Sequence, residues 1–186
     1  MKRVAIGVKT KTGRAIAVAL SEQLEFIVRE ELILCDESTK QPYHDVMELP
    51  WNESIVAVKP AIATIERIAA EALRRLIASI ESRGLRVECV AVVGPADRKL
   101  ERIGNPHIRA HAAEGVLFRA VVEKAAKVNR RQTRSFVDPA AELKRSAGEV
   151  KSALEKLGKI AGAPWRAEEK SAAIAAWAAL TARRSS

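Results

Sequence analysis

Apolar residues recur at every second position through the first part of the chain. Val4, Ile6 and Val8 share one side of residues 3–9, and Ile16, Val18 and Leu20 share one side of residues 14–20. Period two predicts a strand in each segment. Thr10-Lys11-Thr12-Gly13 lies between them as a polar link with a glycine, which predicts a hairpin. A third strand is expected from Leu24 to Cys35, interrupted at Arg29-Glu30-Glu31.

The pattern then changes to a period of 3.6. Ile55, Val58, Ile62, Ile65, Ile68, Leu73, Leu76 and Ile80 follow helical spacing from about Asn52 to Arg83. Pro60 should kink or restart that helix, and Gly84 should stop it. Arg86 to Val93 is a compact β-rich run ended by Gly94-Pro95. A second helix is expected from about His107 to Asn129, then a short strand from Thr133 to Val137. The tail from Ala140 reads as two helices broken around Gly158 to Pro164, the last running from Trp165 to Arg183.

The order is β-β-β-α-β-α-β-α. A meander followed by crossovers predicts an α/β fold, with one five-stranded mixed sheet and helices on its faces. Residues 1–139 read as the core, and residues 140–186 as a helical segment packed on the same domain. The segments Asp36–Trp51 and Gly94–Pro106 are the longest irregular stretches, and such loops are often functional.

Composition narrows the class. The 186 residues include 48% hydrophobic and 30% charged residues, which suits a globular chain and excludes disorder or a fibre. Alanine occurs 33 times and aromatic residues make up only 4%, so helices should approach closely through small side chains. Cys35 and Cys89 lie in apolar runs without Cys-x-x-Cys spacing, which excludes a disulfide framework and a cysteine zinc knuckle. Met1-Lys2-Arg3 has the charge of a signal peptide's start, but Lys9 and Lys11 break the apolar stretch that follows. The longest apolar run, Ala172–Leu180, is about half of a spanning helix. A soluble cytoplasmic protein with no membrane contact is therefore expected.

The net charge is +9. Residues 1–60 carry 8 basic and 9 acidic side chains, and residues 61–186 carry 24 and 14, so the excess sits in the later part. Lys124, Lys127, Arg130, Arg131 and Arg134 form its densest cluster and are the candidate nucleic-acid contacts. A solvated helix face is the plainer reading, since stacking aromatics are missing apart from Phe136.

Three stretches resemble the RuvC-type resolvase branch of the ribonuclease H-like superfamily. Ile6-Gly7-Val8-Lys9 with Thr12-Gly13-Arg14-Ala15 resembles its first hairpin. Ala91-Val92-Val93-Gly94 stands where its fourth strand ends, and Glu168 to Ala176 resembles its closing helix. The resemblance implies a site of about four carboxylates holding two divalent metals around a phosphate. On this chain the first-strand aspartate falls on Lys9, the fourth-strand acid on Val93 or Gly94, and the closing pair on Glu168 and Ser171. The expectation is a degenerate or rebuilt metal-nuclease site in which Lys9 pairs with Glu114 or Glu168.

Other residues suggest further chemistry. His107, His111 and Glu114 fall at i, i+4 and i+7 of a helix, a spacing that suits a divalent metal or acid–base work. That stripe continues to Phe118 and Val121, so a half-buried polar network is the alternative. Glu168 joins His111 and Glu114 as a candidate catalytic residue, and Asp97-Arg98-Lys99 could reach the same end of the sheet. Lys9 and Lys11, with Thr10 and Thr12 beside them, are candidate phosphate ligands together with Arg109. His44, in the polar loop after Pro42-Tyr43, is given no role. The leading function is a nucleic-acid-associated ribonuclease H-like protein. The alternatives are a non-catalytic module that binds an acidic protein partner, or a small phosphotransfer or hydrolytic enzyme using the His107–Glu114 helix face.

Overall fold

The computed structural model describes residues 1–181. Among them, strands β1 (Lys2–Lys11), β2 (Arg14–Ser21), β3 (Phe26–Ile33), β4 (Leu85–Val93) and β5 (Gln132–Phe136) form one sheet in the order β3-β2-β1-β4-β5. β2 is antiparallel to β1 and β3, whereas β4 is parallel to β1 and β5. The expected mixed sheet is present, with β1 central. The helices are α1 (Pro42–Asp45), α2 (Trp51–Ala57), α3 (Lys59–Glu81), α4 (Pro106–Val128), α5 (Ala147–Ala161) and α6 (Ala167–Thr181).

β1 is covered on both faces, so its middle residues, Val4 to Val8, are all apolar or small. Val4, Ile6 and Val8 are fully buried in a core with Ile65, Leu73 and Leu76 of α3 and Phe118 and Val121 of α4. Ala5 points the other way, into a second core with Leu154 and Leu157 of α5 and the alanines of α6. There the helix lies almost on the strand. A Cβ on Gly7 would stand 1.8 Å from the Ala172 carbonyl oxygen and 2.7 Å from the Ala176 nitrogen. Glycine at 7 and alanine at 172, 173, 175 and 176 are what permit this approach.

Two boundaries differ from expectation and one agrees with it. β3 is continuous through Arg29-Glu30-Glu31, because an edge strand turns charged side chains to solvent at little cost. Glu31 pairs with Arg14, and Arg29 donates to the carbonyls of Gly162, Ala163 and Pro164. The helix restarts at Pro60 as expected, with α2 and α3 as separate helices and Pro60 in the first turn of the second. Gly158 lies inside α5, where a Cβ would stand 2.5 Å from the Trp165 ring. The chain turns instead at Gly162, whose φ is +69°. α6 is described to Thr181, so Ala182 and Arg183 of the expected last helix lie outside the described residues. Among the described residues, no helix is long and apolar enough to cross a membrane.

Candidate functional site

In sheets with parallel strands, ligands gather outside the carboxyl ends of the strands. Here the ends of β1 and β4 open onto a cleft of about 290 Å³ lined by Lys9, Thr10, Lys11, Thr12, Pro95, His111, Gly115, Phe118 and Glu168. Two contacts hold its walls. The Thr10 hydroxyl donates to the Val93 carbonyl over 3.1 Å and ties the strand ends together. Arg119 of α4 donates to the Pro95 carbonyl at 2.6 Å and pairs with Asp97, pinning the loop after β4. A Cβ on Gly94 would meet the Arg119 stem at 2.8 Å, so the loop lies directly against that side chain. Asp97 is thus engaged by Arg119, while Glu168 is the carboxylate lining the cleft.

The expected ion pairs of Lys9 are not formed. Lys11 takes Glu168 at 2.7 Å, and Glu114 takes His44 at 2.8 Å. Strand alternation accounts for the missing Glu114 pair, and Lys11 already occupies the Glu168 carboxylate. Lys9 and Lys11 share the α6 face with Ala5 and Gly7, whereas Glu114 projects from α4 on the opposite side. Lys9 is half-buried and has no ion-pair partner among the described residues. The hydrogen bond and positive charge of Lys11 hold the Glu168 carboxyl below the ordinary glutamate range. Glu169, next in sequence, is buried and accepts from the Arg166 backbone nitrogen at 2.8 Å, which satisfies a free donor at the start of α6.

A second cluster adjoins the cleft through His111. Asn105 caps α4 by accepting from the Ile108 nitrogen at 3.0 Å, so His107 and His111 fall on successive turns at its start. Their Nε2 atoms are 3.1 Å apart. The short helix α1 brings His44 over them, with ring centroids 4.3 Å from His111 and 5.0 Å from His107. The loop carrying α1 is held firmly. Tyr43 stacks on Trp51 at 5.6 Å, and the Ser54 hydroxyl lies 3.2–3.3 Å from the carbonyls of Val46, Leu49 and Pro50.

Glu114 is fully buried, and its Oε1 meets both the backbone nitrogen and Nδ1 of His44, at 3.3 and 2.8 Å. A buried carboxylate needs such a partner. Glu114 therefore stands behind His44. Nitrogen atoms of His44, His107 and His111 all lie within 4.8 Å of one another, and Glu114 is outside that group. His44 is the residue that sequence reasoning passed over. The stripe from His107 to Val121 already carried a signal for it, because a glutamate among core positions requires a donor from elsewhere in the chain.

The remaining candidates are scattered. Arg109 packs its guanidinium 5.5 Å over the Trp51 ring and donates to the Ile103 carbonyl, away from Lys9 and Lys11. In the basic cluster, Lys124 pairs with Glu66 at 2.6 Å and Arg131 with Glu81 at 3.0 Å. The Arg131 side chain is only 25% exposed, because it packs beside Glu81 at the end of α3. Arg131 lies beyond the end of α4 at Val128, so helical spacing does not relate it to Lys124 and Lys127. Arg134 pairs in register with Ala91 and so belongs to the α6 side of the sheet. Lys124 lies roughly 20 Å further along α4 than His111, at about 1.5 Å of rise per residue.

No protein-family model and no curated protein matches the chain. Solved structures do. A Thermus thermophilus RuvC structure superposes with a TM-score of 0.52 at 14% identity, covering 98% of this chain and 96% of that one. T. thermophilus RuvC in complex with Holliday junction substrate superposes with a TM-score of 0.54 at 16% identity, with the same coverage. With the strand order and the central β1, these likenesses show that the chain has the RuvC-like variety of the ribonuclease H-like fold.

Proposed function

We propose that the protein binds nucleic acid, seating a phosphodiester in the cleft at the ends of β1 and β4, without two-metal carboxylate chemistry there. Lys9 carries this reading: a half-buried lysine without an ion-pair partner among the described residues, lining a cleft large enough for a phosphate. Thr10 and Thr12 line the same cleft. The RuvC likeness supports the reading, since one of the similar structures holds a Holliday junction substrate. The exposed Lys127 and Arg130 lie at the far end of α4, so the positive charge suits an extended polyanion better than one small phosphate.

The same lysines argue against cleavage by a metal pair. Glu168 is already neutralised by Lys11, and Lys9 adds a positive charge where a divalent cation would have to bind. With magnesium or manganese, junction, duplex and hybrid substrates should remain uncut. Binding followed by fluorescence anisotropy should weaken linearly in log salt, by about 0.9 log unit per phosphate neutralised on duplex DNA. Lys9→Glu should lower affinity at least tenfold at low salt. Unchanged binding in Lys9→Glu, or metal-dependent cutting that is lost in Glu168→Ala, would refute the reading.

A further inference from the structure

We infer that His44, His107 and His111 form a binding site for a borderline divalent cation, with zinc the best fit, and that Glu114 orients His44 from behind. The inference does not depend on nucleic-acid binding. Three features carry it. The first is convergence, since nitrogen atoms from two elements far apart in sequence lie within 4.8 Å of one another. The donors of a tetrahedral zinc stand roughly 3.4 Å apart, given Zn–N bonds of about 2.0–2.1 Å. The 3.1 Å between the Nε2 atoms of His107 and His111 is already close to that, and both rings are exposed enough to turn.

The second feature is an orphaned atom. His44 Nε2 is buried and has no hydrogen-bond partner, although its ring lies against two other imidazoles. The bond from Nδ1 to Glu114 makes Nδ1 the protonated nitrogen and leaves a lone pair on Nε2. That lone pair belongs to a ring packed against the other two imidazoles. A cation satisfies it where a neighbouring ring nitrogen does not.

The third feature is the backing carboxylate. Metal-binding histidines commonly donate their other N–H to a carboxylate, which fixes the tautomer and raises ligand basicity. Glu114 makes that contact from a fully buried position, and the rigid loop around Tyr43 and Trp51 holds the α1 end of it. Three imidazoles without a carboxylate ligand disfavour magnesium and calcium, which prefer oxygen, and suit zinc or its neighbours. Three ligands also leave a fourth position open for water or an anion. Because His111 lines both the cluster and the phosphate cleft, the two sites share a wall.

Tag-free protein, stripped with a chelator and titrated with zinc by calorimetry, tests the inference. One equivalent should bind, magnesium should not compete, and cobalt(II) should give the strong visible bands of a four-coordinate ion. His107→Ala and His111→Ala alter exposed residues and should leave the circular dichroism spectrum unchanged while weakening zinc at least a hundredfold. Glu114→Gln should weaken it by roughly ten- to a hundredfold while retaining the cobalt bands. Absence of stoichiometric zinc binding would overturn the site. So would His107→Ala and His111→Ala proteins that hold zinc as tightly as the parent.

Discussion

On the α3/α4 side of the sheet, Phe118, Leu73 and Leu76 fill the space above Val4, Ile6 and Val8 with large side chains. On the α6 side, Gly7 meets Ala172 and Ala176 with almost no side chain between strand and helix. Both surfaces are buried, but they bury area by different means. The first depends on interdigitated volume, which can relax around a change. The second depends on backbone proximity, where there is no room to relax. It is also the side on which Lys9 and Lys11 emerge, so the close approach of α6 brings Glu168 within reach of Lys11.

The contrast can be broken most sharply at Gly7. Gly7→Val inserts atoms into a space already occupied by helix backbone and should cost more than about 4 kcal/mol, enough to unfold a marginal domain. Urea denaturation measures it, and a loss under about 1 kcal/mol would show that α6 can lift away. Phe118→Ala, on the other side, should cost roughly 3 kcal/mol through lost burial and a residual cavity, with the fold retained. Arg29→Ala removes the donor that links the β3 edge to the turn before α6. It should cost about 1 kcal/mol or less and speed amide exchange at Gly162 and Ala163 before it affects the core.

The smallest effect concerns protons. The Glu168 carboxyl is held low by Lys11, so the pair stabilises the native state above the ordinary glutamate pKa. That contribution is lost as pH falls through the lowered native value. Carboxyl titration by NMR should find Glu168 below the usual range in the parent and shifted back up in Lys11→Met. An unchanged Glu168 in that variant would mean that the ion pair does not hold in solution.

The architecture was legible because β1, β2 and β4 are buried strands whose periodicity has one interpretation. Val4, Ile6 and Val8 announce one face, and the run of residues 86–93 announces a strand covered on both. Edge and turn positions were less legible. The charged triplet in β3 suggests a break only if the strand is assumed to be internal, and Gly158 suggests a break only until Trp165 is packed on it. The site was legible in halves. Helical spacing joined His107, His111 and Glu114, but no local pattern places a one-turn helix carrying His44 between them. The Lys9 pairing was misjudged because strand alternation turns Lys9 away from Glu114, and Lys11, on the same face as Lys9, takes Glu168 instead.

The cleft as the seat of a phosphodiester is tested most directly by amide chemical-shift mapping with a junction oligonucleotide at low salt. The largest shifts should fall on residues 9–13, on Gly94 and around Glu168, and they should fade together as salt rises. Shifts confined to residues 127–134, with the cleft residues silent at saturation, would contradict it.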